Sequence, residues 1–512
     1  MTEEFASESL SVTGRLARRR ARSFARIFSL PIVLLAVLSG AIVVDRLAAP
    51  HVSANVDPAF YAVASHELLL GKSLYTDVWD HKPPAPFVAY AAAELAFGYS
   101  TEMLVILNII VSLVILFGIF YAAKAGEGGN VAAIVAATLF VITSGNFHLE
   151  SRDPNTEPFI NACVVWAFGI FANDRGSGLT VWRSLLIGVL FLIGSMFKPV
   201  VVAVAALLAA AYFFSSAVKK RAFRDVAIIA GVGALGWVAV FAYFAATGRF
   251  SLFYDSMIAY NQFYSGDLIS NLIAPIHGGE FLVNFMVPLA LLSVVGVVII
   301  FAQNRRSGSL IGAYLISSWI AIALPGRFSV HYFQLWLPPL LVATGWTIGY
   351  FANSRSKRIR VGAFVVAGIL GVGLLLNETI QYENVAARQW SPVLSNLKDA
   401  DDVTAKINGL LKDDETFFLW GNTPNLYLLT NRRPPAAIMF DAHLRVNPLY
   451  ERLSQRVASD LARTRPELLV TETGRPPVPD WISKDYEPVP IFSDTRYYSI
   501  FARRDGRIAS GK

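Results

Sequence analysis

Long apolar runs return one after another along most of this chain, separated by short loops that hold most of its charge. About 20 apolar residues carry a helix across a hydrocarbon core ~30 Å thick. Within that core only helices or closed barrels satisfy their own backbone groups. The pattern therefore constrains the chain to a polytopic helical bundle in a membrane. Composition agrees: of 512 residues, 54% are hydrophobic and 16% charged, with mean hydropathy +0.49, whereas soluble domains carry roughly a quarter charged residues.

About eleven spans follow from apolar length. They run near Leu30–Leu47, Leu104–Ala122, Val131–Ser144, Phe159–Ala172, Leu185–Phe197 and Val200–Phe214. The rest are Val226–Ala245, Phe281–Ala302, Leu310–Leu324, Leu335–Phe351 and Val361–Leu376. As one helix, Trp182–Ala217 would be roughly 50 Å long, so two spans with a tight turn at Lys198-Pro199 fit better. The apolar stretch from Pro86 to Gly98 is short and reads as an interfacial or re-entrant helix.

Loop charge sets the orientation. Arg15, Arg18, Arg19, Arg20, Arg22 and Arg26 precede the first span and place residues 1–28 in the cytoplasm. Alternate loops are then basic or near neutral, with Lys124; Asp174, Arg175 and Arg183; Lys219 to Arg224; Arg305 and Arg306; and Arg355 to Arg360. The net charge of +7 is thus a topology signal, and nothing in it calls for nucleic acid. The membrane part covers residues 29–377, with a large first outward loop at about 50–103. From 378 to 512 the sequence is polar and globular. "ETFFLW", "PELLVTE" and "YYSIFARR" read as strands, and "DDVTAKINGLLK" and "PLYERLSQRVASDLART" as amphipathic helices. An odd number of spans puts this α/β domain outside the cytoplasm. The single cysteine, Cys163, lies in an apolar run and permits no internal disulfide. No Cys/His set has zinc-finger spacing, so no metal ligands are assigned.

The residues suited to chemistry gather in the outward loops. Asp57-Pro58 opens an amphipathic segment: its carboxylate serves either as a helix cap or as a base just past the first span. The loop "NFHLESRDPNTEPF" crowds Glu150, Asp153 and Glu157 beside His148 and Arg152. Lys82 in "DVWDHKPPAPF" and Lys198 in "FKP" are cations next to apolar runs, where each either snorkels or meets an anion. The prolines after Lys82 favour an extended segment around it. Arg327, His331 and Tyr332 stand just before a later span. The loop from Arg249 to Glu280, with Tyr254, Asp255, Tyr260, Asn261, Tyr264, Asp267 and His277, reads either as an interfacial belt or as a sugar-contacting surface. Acid and cation on one side of a membrane suit a lipid-phosphate substrate and a proton to be removed.

These pieces together resemble the GT-C superfamily of integral-membrane glycosyltransferases, in particular the bacterial branch related to protein O-mannosyltransferases and the lipid A aminoarabinose transferase. The likeness rests on Asp57, "LLLGKSLYTDVWDHKPP", "ESRDPNTEP", "FKP", "HYFQLWLPP" and the tail "FFLWGNTPNLYLLTNRRPP". It implies a sugar on a polyprenyl phosphate as donor. It implies a glycan, lipid or protein of the cell envelope as acceptor, with inversion at the sugar, at the bacterial inner membrane. It places Asp57 as base or as orienter of the acceptor, in preference to Asp77 or Asp80, with one of Glu150, Asp153 and Glu157 as the second functional carboxylate, Glu150 and Asp153 being the catalytic candidates. It places Lys82 on the donor phosphate; beside it, the residues themselves suggest Lys198 and Arg327 on the same phosphate and His81, Glu157, His331 and Tyr332 near substrate. His81 stands where some relatives carry Glu. A divalent metal stays open, as do two other functions: a flippase of lipid-linked sugars and a non-catalytic assembly protein.

Overall fold

The protein is described from a computed structural model, which covers residues 30–48, 56–126, 128–174, 176–278, 284–386, 391–444, 448–489 and 497–510. The basic segment 1–28, Arg175, Glu280 and the side chain of His277 lie outside the described residues.

The described chain is mainly helical. Helix α1 spans Leu30–Ala48, α2 Val56–Leu69, α3 Ala85–Phe97, α4 Thr101–Lys124, α5 Gly129–Thr143, α6 Thr156–Ala172, α7 Val181–Phe197, α8 Val201–Ser215 and α9 Lys219–Ala246. After a broken helical stretch from Phe250 to Ser265 come α10 Leu268–Gly278, α11 Val287–Gln303, α12 Arg305–Ala323, α13 Leu337–Ala352 and α14 Lys357–Ala386. Among the described residues the apolar runs fall mainly in helices; residues 281–283, at the start of one run, lie outside them. Among the described residues, six helical segments are long and apolar enough to cross a bilayer, and α3, α5, α6, α7 and α8 are shorter apolar helices. The chain is a multi-pass membrane protein. Helix α3 has 13 residues, about 20 Å, short of the hydrocarbon thickness.

Position in the bundle follows side-chain size. The segment Val330–Ala352 is 89% buried inside the protein, against 6% for Lys219–Ala246. The first is the central post and the second faces outward. Lipid tails are as apolar as leucine, so helices associate in a membrane through close packing rather than through water exclusion. Gly345 and Gly349 of α13 supply that closeness against Gly128, Ala132 and Ala136 at α5. A Cβ at Gly349 would lie 2.6 Å from the Gly128 Cα, and one at Gly345 would lie 2.7 Å from the Ala132 carbonyl oxygen.

The loops sort to two ends. At one, Arg306 donates to the Asp174 carboxylate at 2.8 Å and to Ser216 Oγ at 2.9 Å. Asp225 accepts from Tyr212 and from the Leu179 amide. The loops expected on one face of the membrane do meet there. The opposite end carries the first loop, the acidic loop and the C-terminal unit.

That unit contains a four-stranded sheet in the order β1-β2-β4-β3: β1 Phe417–Trp420, β2 Leu468–Glu472, β3 Tyr486–Pro488 and β4 Tyr498–Arg503. The β1/β2 pair is parallel and the other two pairs are antiparallel. Helices α15 Ser391–Leu410, α16 Asn425–Thr430 and α17 Tyr450–Thr464 accompany it. The three expected strands and both amphipathic helices are present, and β3 is additional. The unit is pinned to the first loop. Arg433 makes a bidentate contact with Glu67 of α2 at 2.8 and 2.6 Å, the Trp79 amide donates to the Ala437 carbonyl at 2.9 Å, and Arg456 donates to the Thr76 carbonyl.

Replacing Gly349 with leucine should push α5 and α13 apart, since overpacking costs about 1–3 kcal/mol. Thermal unfolding in detergent should then come several degrees lower than wild type. Gly371→Leu in α14, where nothing lies within 4 Å of an added Cβ, should leave it unchanged. Equal midpoints for the two variants would remove this contact from the bundle's core.

Candidate active site

The first loop folds back on itself before it reaches the site. Tyr75 takes a left-handed backbone, φ +66°. Its amide donates to the Val78 carbonyl at 2.7 Å, and the Asp77 carboxylate accepts from the Ser73 amide at 2.9 Å. The Tyr75 hydroxyl then donates to the Lys82 carbonyl at 2.7 Å and closes the loop. A non-glycine residue in this region is strained, and such strain persists only where the surroundings enforce it. Pro84, with φ −67° and ψ −21°, is not extended; it turns the chain into α3. The segment around Lys82 is therefore short, held by Tyr75 on one side and by a helix start on the other.

Lys82 points its ammonium between two carboxylates, 3.7 Å from Asp57 Oδ1 and 3.8 Å from Asp80 Oδ2. It also lies 5.2 Å from the centroid of the Tyr61 ring. Asp57 sits in the first turn of α2, so a helix-terminus role and an accessible carboxylate coexist. Its side chain is 28% exposed and that of Asp80 is fully buried. Asn155 Nδ2 reaches Asp57 Oδ2 at 3.4 Å. Burial alone would raise the Asp57 carboxyl, but the Lys82 ammonium, with the charges of His331 and Lys198, holds it below the usual carboxylate range. Burial opposes ionisation of Asp80 too, yet Lys82 and His81 keep it well below that range. Burial would lower Lys82, and the two carboxylates hold it above the ordinary lysine value.

A second pair stands on the acidic loop and the α7–α8 turn. The Glu157 carboxylate is fully buried and pairs with Lys198, whose ammonium lies 3.9 Å from the Tyr332 ring centroid. Lys198 occupies the break between α7 and α8, with extended φ −148° and ψ 130°. The expected tight turn is there. His331 Nδ1 is 3.0 Å from Glu150 Oε2, and Glu150 has left-handed φ +54°. Asp153 shares the acidic loop, but no contact of its carboxylate with Lys82 or Lys198 is seen. The residue capping α6 is Asn155, whose side chain accepts from the Thr156 amide at 2.7 Å. Arg327 is exposed and stacks over Tyr264 at 4.2 Å. Tyr264 in turn lies 5.1 Å from His81, so Arg327 borders the site through that ring.

Two residues absent from the sequence-based set turn out to be central. Asp80 was passed over in favour of Asp57. His443 comes from the C-terminal unit, with Nε2 3.6 Å from Asp80 Oδ1, while His81 Nδ1 is 3.1 Å from the same oxygen. No local spacing marks His443, because the chain returns to the first loop only after the whole bundle has formed.

No protein-family model matches the chain, and no curated protein matches it by sequence. Solved structures do match. The chain is similar to ArnT from Cupriavidus metallidurans bound to undecaprenyl phosphate, at 13% identity and TM-score 0.58, covering 92% of this chain and 97% of that one. The apo state of ArnT gives TM-score 0.60 at 13% identity. It is also similar to the oligosaccharyltransferase AglB from Archaeoglobus fulgidus in complex with an inhibitory peptide and a dolichol-phosphate, at 12% identity and TM-score 0.56, covering 88% of this chain and 70% of that one. The chain has the GT-C fold. At this identity the likeness speaks for architecture, and the chemistry has to come from the residues present.

Within this GT-C fold, Asp80, His81 and His443 place one ligand atom each within 4.8 Å of one another. Burial, reinforced by Lys82, lowers His81, and burial pushes His443 down to about 3. Both imidazoles are therefore neutral at neutral pH, the form that ligates metal. Among the described residues Asp80 Oδ2 accepts no hydrogen bond, with the Lys82 ammonium 3.8 Å away. The three groups fit a divalent ion with an open position. Chelator-treated protein titrated with zinc should take up one ion per chain, and His443→Ala should weaken uptake by more than about tenfold. Wild-type protein that retains no zinc after dialysis would reduce the triad to a hydrogen-bonding cluster.

Proposed function

We propose that the protein is an inverting glycosyltransferase. It moves a sugar from a polyprenyl-phosphate carrier to a cell-envelope acceptor (glycan, lipid or protein) on the outer face of the bacterial inner membrane. In this reading the N-terminus is cytoplasmic and the C-terminal unit extracytoplasmic. The observation that carries it is the Lys82 ammonium between the Asp57 and Asp80 carboxylates, with the Glu157–Lys198 pair beside Tyr332 at the same end of the bundle. The shared fold with proteins solved with undecaprenyl phosphate and dolichol-phosphate supports it.

The acceptor hydroxyl attacks the anomeric carbon from the face opposite the phosphate. A bond forms between acceptor oxygen and anomeric carbon as the bond from that carbon to the phosphate oxygen breaks, and the configuration inverts. Asp57 takes the hydroxyl proton as general base, and Asn155 orients its carboxylate. The electron pair leaves on the lipid phosphate, where Lys82 and Lys198 stabilise the charge. Each lysine is held by a carboxylate in the free protein, so a phosphate that engages Lys82 draws the cation from Asp57. Asp57 loses the charge that depresses it and becomes more basic when the donor is bound. A metal held by Asp80, His81 and His443 would add positive charge beside Asp80, favouring release of Lys82 toward the phosphate.

Asp57→Asn should lower turnover by about 10²–10⁴-fold while membranes still bind labelled polyprenyl-phosphate sugar. Lys82→Ala should weaken that binding as well as turnover. A normally expressed Asp57→Asn variant that transfers sugar at the wild-type rate would overturn the assignment. The free-enzyme pH profile has a definite sign. With Asp57 held below the ordinary carboxylate value, kcat/KM should stay flat down through pH 5. Its acid limb should appear only below about pH 4, and Lys82→Met should move that limb upward.

A further inference from the structure

An apolar groove of about 630 Å³ runs between α3, the end of α7 and α9, against Leu68 and Leu74. Val88, Met196, Val240 and Phe244 contribute to its walls. Two cations stand on it, Lys72 and Arg249. Among the described residues neither has a carboxylate within ion-pair distance. Arg249 is held over the Tyr243 and Phe244 rings at 5.3 and 5.4 Å and donates to the Tyr243 hydroxyl at 2.9 Å. Its guanidinium is thereby fixed on the groove wall rather than swinging free. Lys72 also lines a second, polar cavity of about 550 Å³ between the first loop and the C-terminal unit, where Asp413, Asp414 and Arg463 stand. Lys72 is thus a hinge point: apolar groove on one side, charged and hydroxyl-accepting cavity on the other.

We propose that this groove is a binding site for an anionic glycerophospholipid of the surrounding bilayer, separate from the reaction centre. The order apolar, cationic, polar along the two cavities matches the order chain, phosphate, polar headgroup in such a lipid. The acyl chain lies against α3, α7 and α9. The phosphate meets Lys72 and Arg249, and headgroup hydroxyls face the carboxylates of the polar cavity. Ser73, Leu74 and Pro84, which line the groove, belong to the folded-back loop that carries Lys82. A seated lipid therefore braces that loop against α7 and α9.

Native mass spectrometry of the full chain, released from nanodiscs that mix phosphatidylglycerol and phosphatidylcholine of the same chain length, tests this. Wild type should retain phosphatidylglycerol over phosphatidylcholine by about tenfold, the scale on which one or two surface cations act on an anionic lipid. The double variant Lys72→Gln, Arg249→Gln should lose the preference and keep its thermal midpoint in pure phosphatidylcholine. Phosphatidylglycerol should raise the wild-type midpoint and leave that of the variant unmoved. Equal retention of the two lipids by wild type, or a preference that survives in the variant, would overturn the proposal. Glycerol phosphate in excess should not displace the lipid; displacement would show a headgroup site without the groove.

Discussion

A lysine held between two carboxylates in a buried loop is the interaction on which the rest of this structure depends. Burying three charges is unfavourable unless each is paired. Here Asp57 and Asp80 share Lys82, so the cluster carries one negative charge in excess. Glu157 and Lys198 cancel each other a short way off. The site is poised rather than satisfied: any anion that displaces a carboxylate from a lysine must be compensated. A cation held by Asp80, His81 and His443 would supply that compensation.

The loop that bears this cluster could not hold itself. Its hairpin-like turn uses a strained Tyr75, and its ends are fixed by α2, by the start of α3 and by the C-terminal unit. The contact of the Trp79 amide with the Ala437 carbonyl and the Glu67–Arg433 clamp make that unit part of the site's scaffold. Below it, the bundle supplies rigidity through small residues. The close approach at Gly128 and Gly349 fixes α5 and α13, and α13 follows directly on the 3₁₀ segment Val330–Trp336 that carries His331 and Tyr332. Packing in the bundle thus sets where one wall of the site stands.

Apolar run length was enough to place helices along the membrane part, because burial in lipid leaves the sequence little freedom. The turn at Lys198 was legible for a related reason: a helix through it would overshoot the membrane. The strands around Phe417, Leu468 and Tyr498 were marked by their apolar runs. The short β3, Tyr486–Pro488, in which Tyr486 alone is buried, was not. In the site, Asp57, Lys82, Glu157 and Lys198 were visible as charges stranded beside oily segments. Their pairing was not: Lys82 meets Asp57 across one long folded-back loop, and Lys198 meets Glu157 from a different loop. The weight placed on Asp153 came from its proximity in sequence to Glu150 and Glu157. In the structure Glu150 meets His331 and Glu157 meets Lys198.

The same reasoning bears on the low identity, 13%, at which the fold is shared with ArnT. A membrane bundle asks of most positions only that they be apolar and of a few that they be small, so sequence can drift while the architecture stays. The loops have no such freedom where they converge, because a charge buried there without its partner is strongly destabilising. Substitution in this region has to be concerted. His81 shows the coupling: its anion is the adjacent Asp80, whose carboxylate oxygen lies 3.1 Å from the ring nitrogen.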